Sequence, residues 1–217
     1  MPKRFIREID KLKKGILSLS ALVEESVWMS VKALNTHDTR LANRVLESDN
    51  EIDAAEVDLE EECLKVLALY QPVATDLRYV IAILKINSDL ERIGDLAVNM
   101  ADRVKLLDRK PRVAPPFDFQ KMAEGVQMML RKALDSLMNL DSDLAQEVRN
   151  MDEEIDILHR QGYENVKDCI RRDIDNLDAY VYYMAVSRNL ERIADHATNI
   201  AEDVIYLLEG DIVRHTM

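Results

Sequence analysis

Apolar residues recur every three or four positions along most of this chain, and that rhythm divides it into six helical stretches. From about Phe5 to Asn35 the residues Ile9, Leu12, Ile16, Leu19, Val23, Val27 and the stretch Ser30 to Leu34 fall on one side of a helix. Thr36-His37-Asp38-Thr39 reads as a turn with capping residues. A second helix follows over about Thr39 to Leu69, with Val45, Ile52, Leu59 and Val66 spaced as a heptad, and Pro72 closes it. The third runs from Thr75, read as its N-cap, to about Leu107. It carries Ile83, Ile86, Leu90, Ile93, Ala97, Met100, Val104 and Leu107 in the a/d spacing of an antiparallel bundle. At a 1.5 Å rise per residue such helices reach about 45 Å, too long for a compact globule and right for a bundle.

The segment from Arg109 to Phe117 holds Pro111, Pro115 and Pro116, cannot be helical throughout, and marks a boundary. The pattern then starts again, with helices expected over about Asp118 to Asn139, Ser142 to Arg172 and Asn176 to Glu209, the last closed by Gly210. The second half copies the first. Asp89-Leu-Glu-Arg-Ile-Gly-Asp-Leu-Ala-Val-Asn-Met-Ala-Asp102 matches Asn189-Leu-Glu-Arg-Ile-Ala-Asp-His-Ala-Thr-Asn-Ile-Ala-Glu202, and Asp49-Asn-Glu-Ile-Asp53 matches Asp152-Glu-Glu-Ile-Asp156. The fold expected is all-α: two tandem three-helix bundles from an internal duplication, over residues 1–110 and 111–217.

Composition agrees with long helices and narrows the function. Gly and Pro number 5 each and aromatics are 5% of the residues, which disfavours a β-rich fold. Acidic residues outnumber basic ones 41 to 29, a net charge of −12, so the surface repels nucleic acid and anionic lipid and attracts cations or basic protein surfaces. The charged start Met1-Pro-Lys-Arg is no signal peptide, and no stretch approaches a membrane span, so a cytoplasmic location is expected. Cys63 and Cys169 form no CxxC pair and read as small buried apolar residues. The ten methionines, Met128, Met129 and Met184 among them, read as core packing.

On a helical wheel Leu90, Ile93, Ala97, Met100 and Val104 gather on one side, while Glu91, Asp95, Asn99 and Asp102 gather opposite. Glu191, Asp195, Asn199 and Glu202 repeat the arrangement. Acid at i and i+4 with Asn at i+8 sets oxygen donors on successive turns of one face, a pattern that can bridge hard cations. Asp49, Asp53 and Glu56 on the neighbouring helix could complete one site. Asp152 and Asp156 could complete the other, where His159 replaces Glu56 and favours a transition metal. Such stripes are ordinarily solvated helix faces; it is the ordered repetition, with Asn99 and Asn199 included, that raises this one above the ordinary. Arg92 and Arg192 read as intrahelical partners of the acids, and His196 as a buried or interface histidine.

The doubled Leu-Glu-Arg-Ile-(Gly/Ala)-Asp-x-Ala-x-Asn-(Met/Ile)-Ala, preceded by Gln71-Pro-Val-Ala-Thr-Asp-Leu-Arg78, resembles the signature of the PhoU family. The resemblance implies two three-helix bundles, usually dimeric, with metal ions (iron, zinc, manganese or magnesium) on Asp49, Asp53, Glu91, Asp95 and Asn99 and on Asp152, Asp156, Glu191, Asp195 and Asn199. It implies a negative regulator of the phosphate-starvation response and of phosphate uptake. Such a protein links the ATPase subunit of a phosphate ABC transporter to a phosphate-sensing histidine kinase and meets the membrane only through these partners. The chain departs from exact duplication where Asp76-Leu-Arg78 becomes Asn176-Leu-Asp178 and at His159. Two other readings remain. A carboxylate-bridged dimetal enzyme would need Glu-x-x-His motifs, of which the chain has none. A helical scaffold would need no metal. No nucleotide-binding or catalytic motif competes with the regulator.

Overall fold

A computed structural model describes residues 3–210 of the protein; the Met1-Pro2 start of the expected leaderless terminus and the end of the second repeat lie outside the described residues. These fold as α1 (Lys3–Thr36), α2 (Thr39–Tyr70), α3 (Ala74–Leu107), α4 (Phe119–Asn139), α5 (Ser142–Arg172) and α6 (Leu177–Glu209), with a 3-10 turn at Ile174–Asn176 before α6 and no strand among the described residues. None of these helices is long and apolar enough to cross a membrane.

The helix ends follow local chemistry. Asp38 caps α2 by accepting from the backbone N–H of Arg40 and Leu41, Asp118 caps α4 through Lys121, and Asp141 caps α5 through Leu144. Gly210 closes α6 at φ 80°, in the left-handed region where glycine carries no Cβ penalty. Two starts differ from the sequence reading. Val73, not Thr75, is the N-cap of α3 and makes no side-chain cap, because left-handed residues at Gln71 and Ala74 flank Pro72-Val73 and begin the helix two residues sooner. At α6, the Asp173 carboxylate accepts from the Asn176 amide at 2.9 Å and the Tyr180 hydroxyl at 3.0 Å. These bonds hold Asn176 in the 3-10 turn and start the helix at Leu177.

Within each half the three helices pack on one another, α1 with α2 and α3, and α4 with α5 and α6. The most extensive pairing joins the halves instead: α3 lies antiparallel on α6, with a smaller contact between α1 and α4. One hydrophobic cluster therefore runs through both halves, from Phe5 and Leu12 through Leu90 and Met100 to Ile193 and Val204. The heptad positions Val45, Ile52, Leu59 and Val66 are all inside it. Three expectations about packing change. Met128 is 53% exposed on α4, although its neighbour Met129 is fully buried, and Met184 is only half-buried. Cys63 is fully buried, and burial pushes its thiol up to about 12, whereas Cys169 is half-buried.

Leu90 is fully enclosed on α3, whereas Leu64 on α2 is 52% exposed. Leu90→Ala is expected to destabilise the fold by about 2–5 kcal/mol, and Leu64→Ala by less than about 0.5 kcal/mol. Urea unfolding followed by circular dichroism measures both.

Candidate functional site

The two acidic stripes face away from the core, and each meets a second helix that brings further carboxylates. In the first half the close approach of α2 and α3 depends on Gly94, where a Cβ would stand 3.2 Å from the Ile52 side chain. This contact sets Asp49 and Asp53 of α2 beside Glu91 and Asp95 of α3. Burial raises the Asp49 carboxyl above its ordinary value, and the charges of Asp53 and Asp95 raise it further. Glu91 is likewise raised by burial and then by Asp95, Asp53 and Glu56, with Arg92 opposing. The four expected carboxylates thus act on one another across two helices. Glu56 joins them, held by the Asn87 amide, which donates to its backbone oxygen at 2.9 Å and its Oε1 at 3.1 Å. Asn99 stands exposed farther along α3.

The second cluster is built alike from Asp152 and Asp156 of α5 and Glu191 and Asp195 of α6. Burial, then Asp156 and Asp152, raises Glu191, while Arg188 and Arg192 oppose. Asp195 reaches solvent along one edge. The protein packed on its other side, with the charges of Glu191, Asp152 and Asp156, still pushes it up to about 6. Burial raises Asp152 too, against the Thr198 hydroxyl, which donates to it at 3.1 Å. Thr198 was not anticipated, although its place seven residues after Glu191 on the same helix face was a usable signal.

Other residues land differently from their sequence reading. Asn199 turns its amide nitrogen to Asp89 of α3, at 3.3 Å, across the seam between the halves. His196 is 8% exposed with Nδ1 2.7 Å from the same Asp89 oxygen, the interface role expected of it. His159 places Nδ1 2.9 Å from the Ser187 hydroxyl, and burial holds its imidazole below the usual range, toward the neutral form. Glu202 pairs with Arg149 of α5 at 3.5 Å. Arg92 and Arg192, expected to pair with the acids of their own helices, make no ion pair among the described residues. The departure between the halves at Arg78 and Asp178 serves the two ends of the seam. Arg78 packs on the C-terminal end of α6, where a Cβ on Gly210 would come within 2.8 Å of its Nη1, and Asp178 pairs with Lys110 beyond the end of α3 at 2.6 Å.

The donor sets fit hard divalent cations in chemistry: carboxylates whose burial, and then mutual repulsion, raises their affinity for protons, with an imidazole beside the second set. The side chains are not closed around a point. Among the described residues no group of three or more His, Cys, Asp or Glu side chains stands arranged to hold a metal ion. Cation binding therefore requires rotation of these side chains on their helices.

The raised carboxyl of Asp195 fixes a sign. An acid whose pKa is higher folded than unfolded favours the folded state most at pH below its unfolded value, near 3.8, and loses that contribution as pH rises through about 6. Asp195→Asn, which removes the charge, is expected to raise the melting temperature at pH 7.5 in the presence of chelator. The gain should shrink on acidification and vanish near pH 4. Thermal melts across this range measure it, and a carbon-13 titration of the Asp195 carboxyl gives its midpoint directly.

The PhoU domain model matches residues 16–104 and 119–204 of the chain. A phosphate-specific transport system accessory protein PhoU homolog of Aquifex aeolicus is 38% identical over 212 residues, covering 98% of this chain and 96% of its own. The homolog of Pseudomonas aeruginosa is 36% identical, covering 98% and 88%. Among solved structures, that of PhoU from Pseudomonas aeruginosa superposes with a TM-score of 0.93 over 95% of this chain and 100% of that one, at 36% identity. That of the phosphate transport system regulatory protein PhoU from Streptococcus pneumoniae gives 0.84 over 96% and 99%, at 29% identity. With a doubled motif, six helices in the same order and similarity running nearly end to end, the chain belongs to the PhoU family.

Proposed function

We propose that this protein is a non-enzymatic regulator that restrains phosphate uptake and the phosphate-starvation response when phosphate is plentiful. The observation that carries this reading is family membership over nearly the whole chain, among relatives named as accessory proteins of the phosphate-specific transport system. Its partners on this reading are the ATPase subunit of a phosphate ABC transporter and a phosphate-sensing histidine kinase. The protein works in the cytoplasm as a homodimer and reaches the membrane through them.

The two acidic clusters are the places where the regulator takes up divalent or transition metal ions, at Asp49, Asp53, Glu91 and Asp95 and at Asp152, Asp156, Glu191 and Asp195. Support comes from the donor chemistry and from the carboxyls of Asp49, Glu91, Asp152, Glu191 and Asp195, raised by burial and then by neighbouring carboxylates whose repulsion a bound cation relieves. When bound, the ion supplies positive charge alone. The chain's own part is to span two helices with each donor set, so that occupancy ties α2 to α3 and α5 to α6. Asn99 remains open to join the first set. Asn199 and Thr198 are engaged with Asp89 and Asp152.

Deleting the gene is expected to release a phosphate-regulon reporter from repression in phosphate-rich medium, and a reporter that stays repressed would end the regulator reading. Elemental analysis of the protein purified without chelator tests the cation sites separately. Metal should be present in the wild type, fall by about half in Glu91→Ala/Asp95→Ala and again in Glu191→Ala/Asp195→Ala. A metal-free wild type would leave the carboxylates as solvated helix faces.

A further inference from the structure

Between the two acidic clusters runs a strip of surface that neither cluster uses, and three arginines occupy it. Arg92 on α3 and Arg188 and Arg192 on α6 are exposed, and none forms a hydrogen bond or ion pair among the described residues. Their charges are felt by the clusters, Arg92 by Glu91 and the other two by Glu191. They are nonetheless not consumed by them.

The order of charges along the helices explains why. Each i,i+3 ion pair among the described residues, Glu8–Lys11, Glu62–Lys65, Glu164–Lys167 and Asp168–Arg171, has the acid before the base. In Arg92–Asp95, Arg188–Glu191 and Arg192–Asp195 the base comes first, the poorer orientation on a helix, and Asp89, which precedes Arg92 in the favourable order, is taken by His196 and Asn199 across the seam. The guanidinium groups are left to face outward.

The seam brings two of them together. Asp89 meets His196 at 2.7 Å and Lys85 meets Asp203 at 3.2 Å, which fixes α3 and α6 antiparallel and in register. Arg92 lies one turn beyond Asp89 on α3, and Arg192 one turn before His196 on α6. In antiparallel helices both displacements run the same way, so the two arginines face each other across the seam. With packed axes about 8–10 Å apart, their stems can close on one acidic group or on two neighbouring ones. Arg188 extends the row by another turn.

We propose that this arginine ridge is the docking surface for a partner protein, and that it receives a segment bearing a single row of carboxylates flanked by uncharged or basic side chains. The flanks must not be acidic because the two clusters border the ridge on either side. A small phosphate ion suits the place poorly: the ridge is open, buries little of such a ligand, and is bordered by carboxylates that repel a dianion. A protein segment adds contact area, and guanidinium forks on carboxylates are among the contacts that dominate interface energetics. The inference rests on the adaptor reading above and adds the surface and the chemistry of what it receives.

The test is binding of the full-length protein to the purified phosphate transporter complex and to the purified sensor kinase, at low and high salt. Arg92→Glu/Arg192→Glu should weaken binding at least about tenfold. Arg92→Gln/Arg192→Gln should fall between that variant and the wild type. Arg4→Glu/Arg7→Glu, with the same change in charge at the exposed start of α1, should bind as the wild type does. All of these substitutions are on exposed side chains, and circular dichroism checks that the helices persist. Undiminished binding by both ridge variants overturns the ridge while leaving the adaptor standing. A wild type that binds neither partner overturns the adaptor reading and the ridge with it. Calorimetric binding of inorganic phosphate by the wild type, lost in Arg92→Gln/Arg192→Gln, would make the ridge a small-anion site and overturn the docking proposal.

Discussion

The antiparallel packing of α3 on α6 is the contact on which the rest of the molecule depends. It joins two three-helix sets into one core, it is the largest helix pairing in the protein, and it sets the distance between the two acidic clusters. A purely apolar seam of this kind could slide by a turn at small cost. This one carries polar registration marks: Asp203, almost fully buried, meets Lys85, and Asp89 meets His196 and Asn199. Moving α6 by one turn would strand buried charge, which is far costlier than the net gain from such pairs in place. Their contribution is to alignment more than to stability.

Alignment matters because duplication has not left the halves equivalent. Asn87 holds Glu56 in the first half; Ser187 meets His159 in the second. Val98 becomes Thr198 and reaches Asp152, while Asn99 is open and Asn199 is committed to Asp89. The first cluster is oxygen-rich and linked loosely to the seam. The second is tied by Thr198 to its own neighbour and, through the adjacent Asn199, to the opposite half. Its Asp195 is pushed up to about 6 by burial and then by neighbouring charge. A change of charge in the second cluster is therefore felt at the seam more directly than one in the first.

Most of the fold was legible from the sequence because its determinants are periodic. Heptad spacing at Val45, Ile52, Leu59 and Val66, and the a/d run from Ile83 to Leu107, define buried faces whatever the helices pack against. The acidic stripes were legible for the same reason, being the opposite side of the same wheel. What escaped the wheel was the identity of the neighbour. Thr198 and Asn199 differ by about 100° in direction, enough to send one to α5 and the other to α3. Only the three-dimensional arrangement says which helix stands on which side. Arg92 and Arg192 stand near acids in sequence yet pair with none among the described residues, because the acid follows the base in Arg92–Asp95 and Arg192–Asp195 and Asp89, ahead of Arg92, is taken by the opposite helix.

The same reversal of charge order gives the protein a surface that its net charge conceals. With 41 acidic and 29 basic residues the average potential is negative, and a reading from charge alone assigns the molecule basic partners. On the face formed by α3 and α6 the charges are sorted into bands instead: carboxylates on the flanks, held inward against α2 and α5, and guanidinium groups at the centre, turned out. Screening at physiological ionic strength limits each charge to roughly 8 Å, so an approaching surface meets the bands separately and not their sum. A partner that matched only the net charge would meet arginine where it offers lysine. The bands select for pattern, and they can do so only while α3 and α6 keep their register.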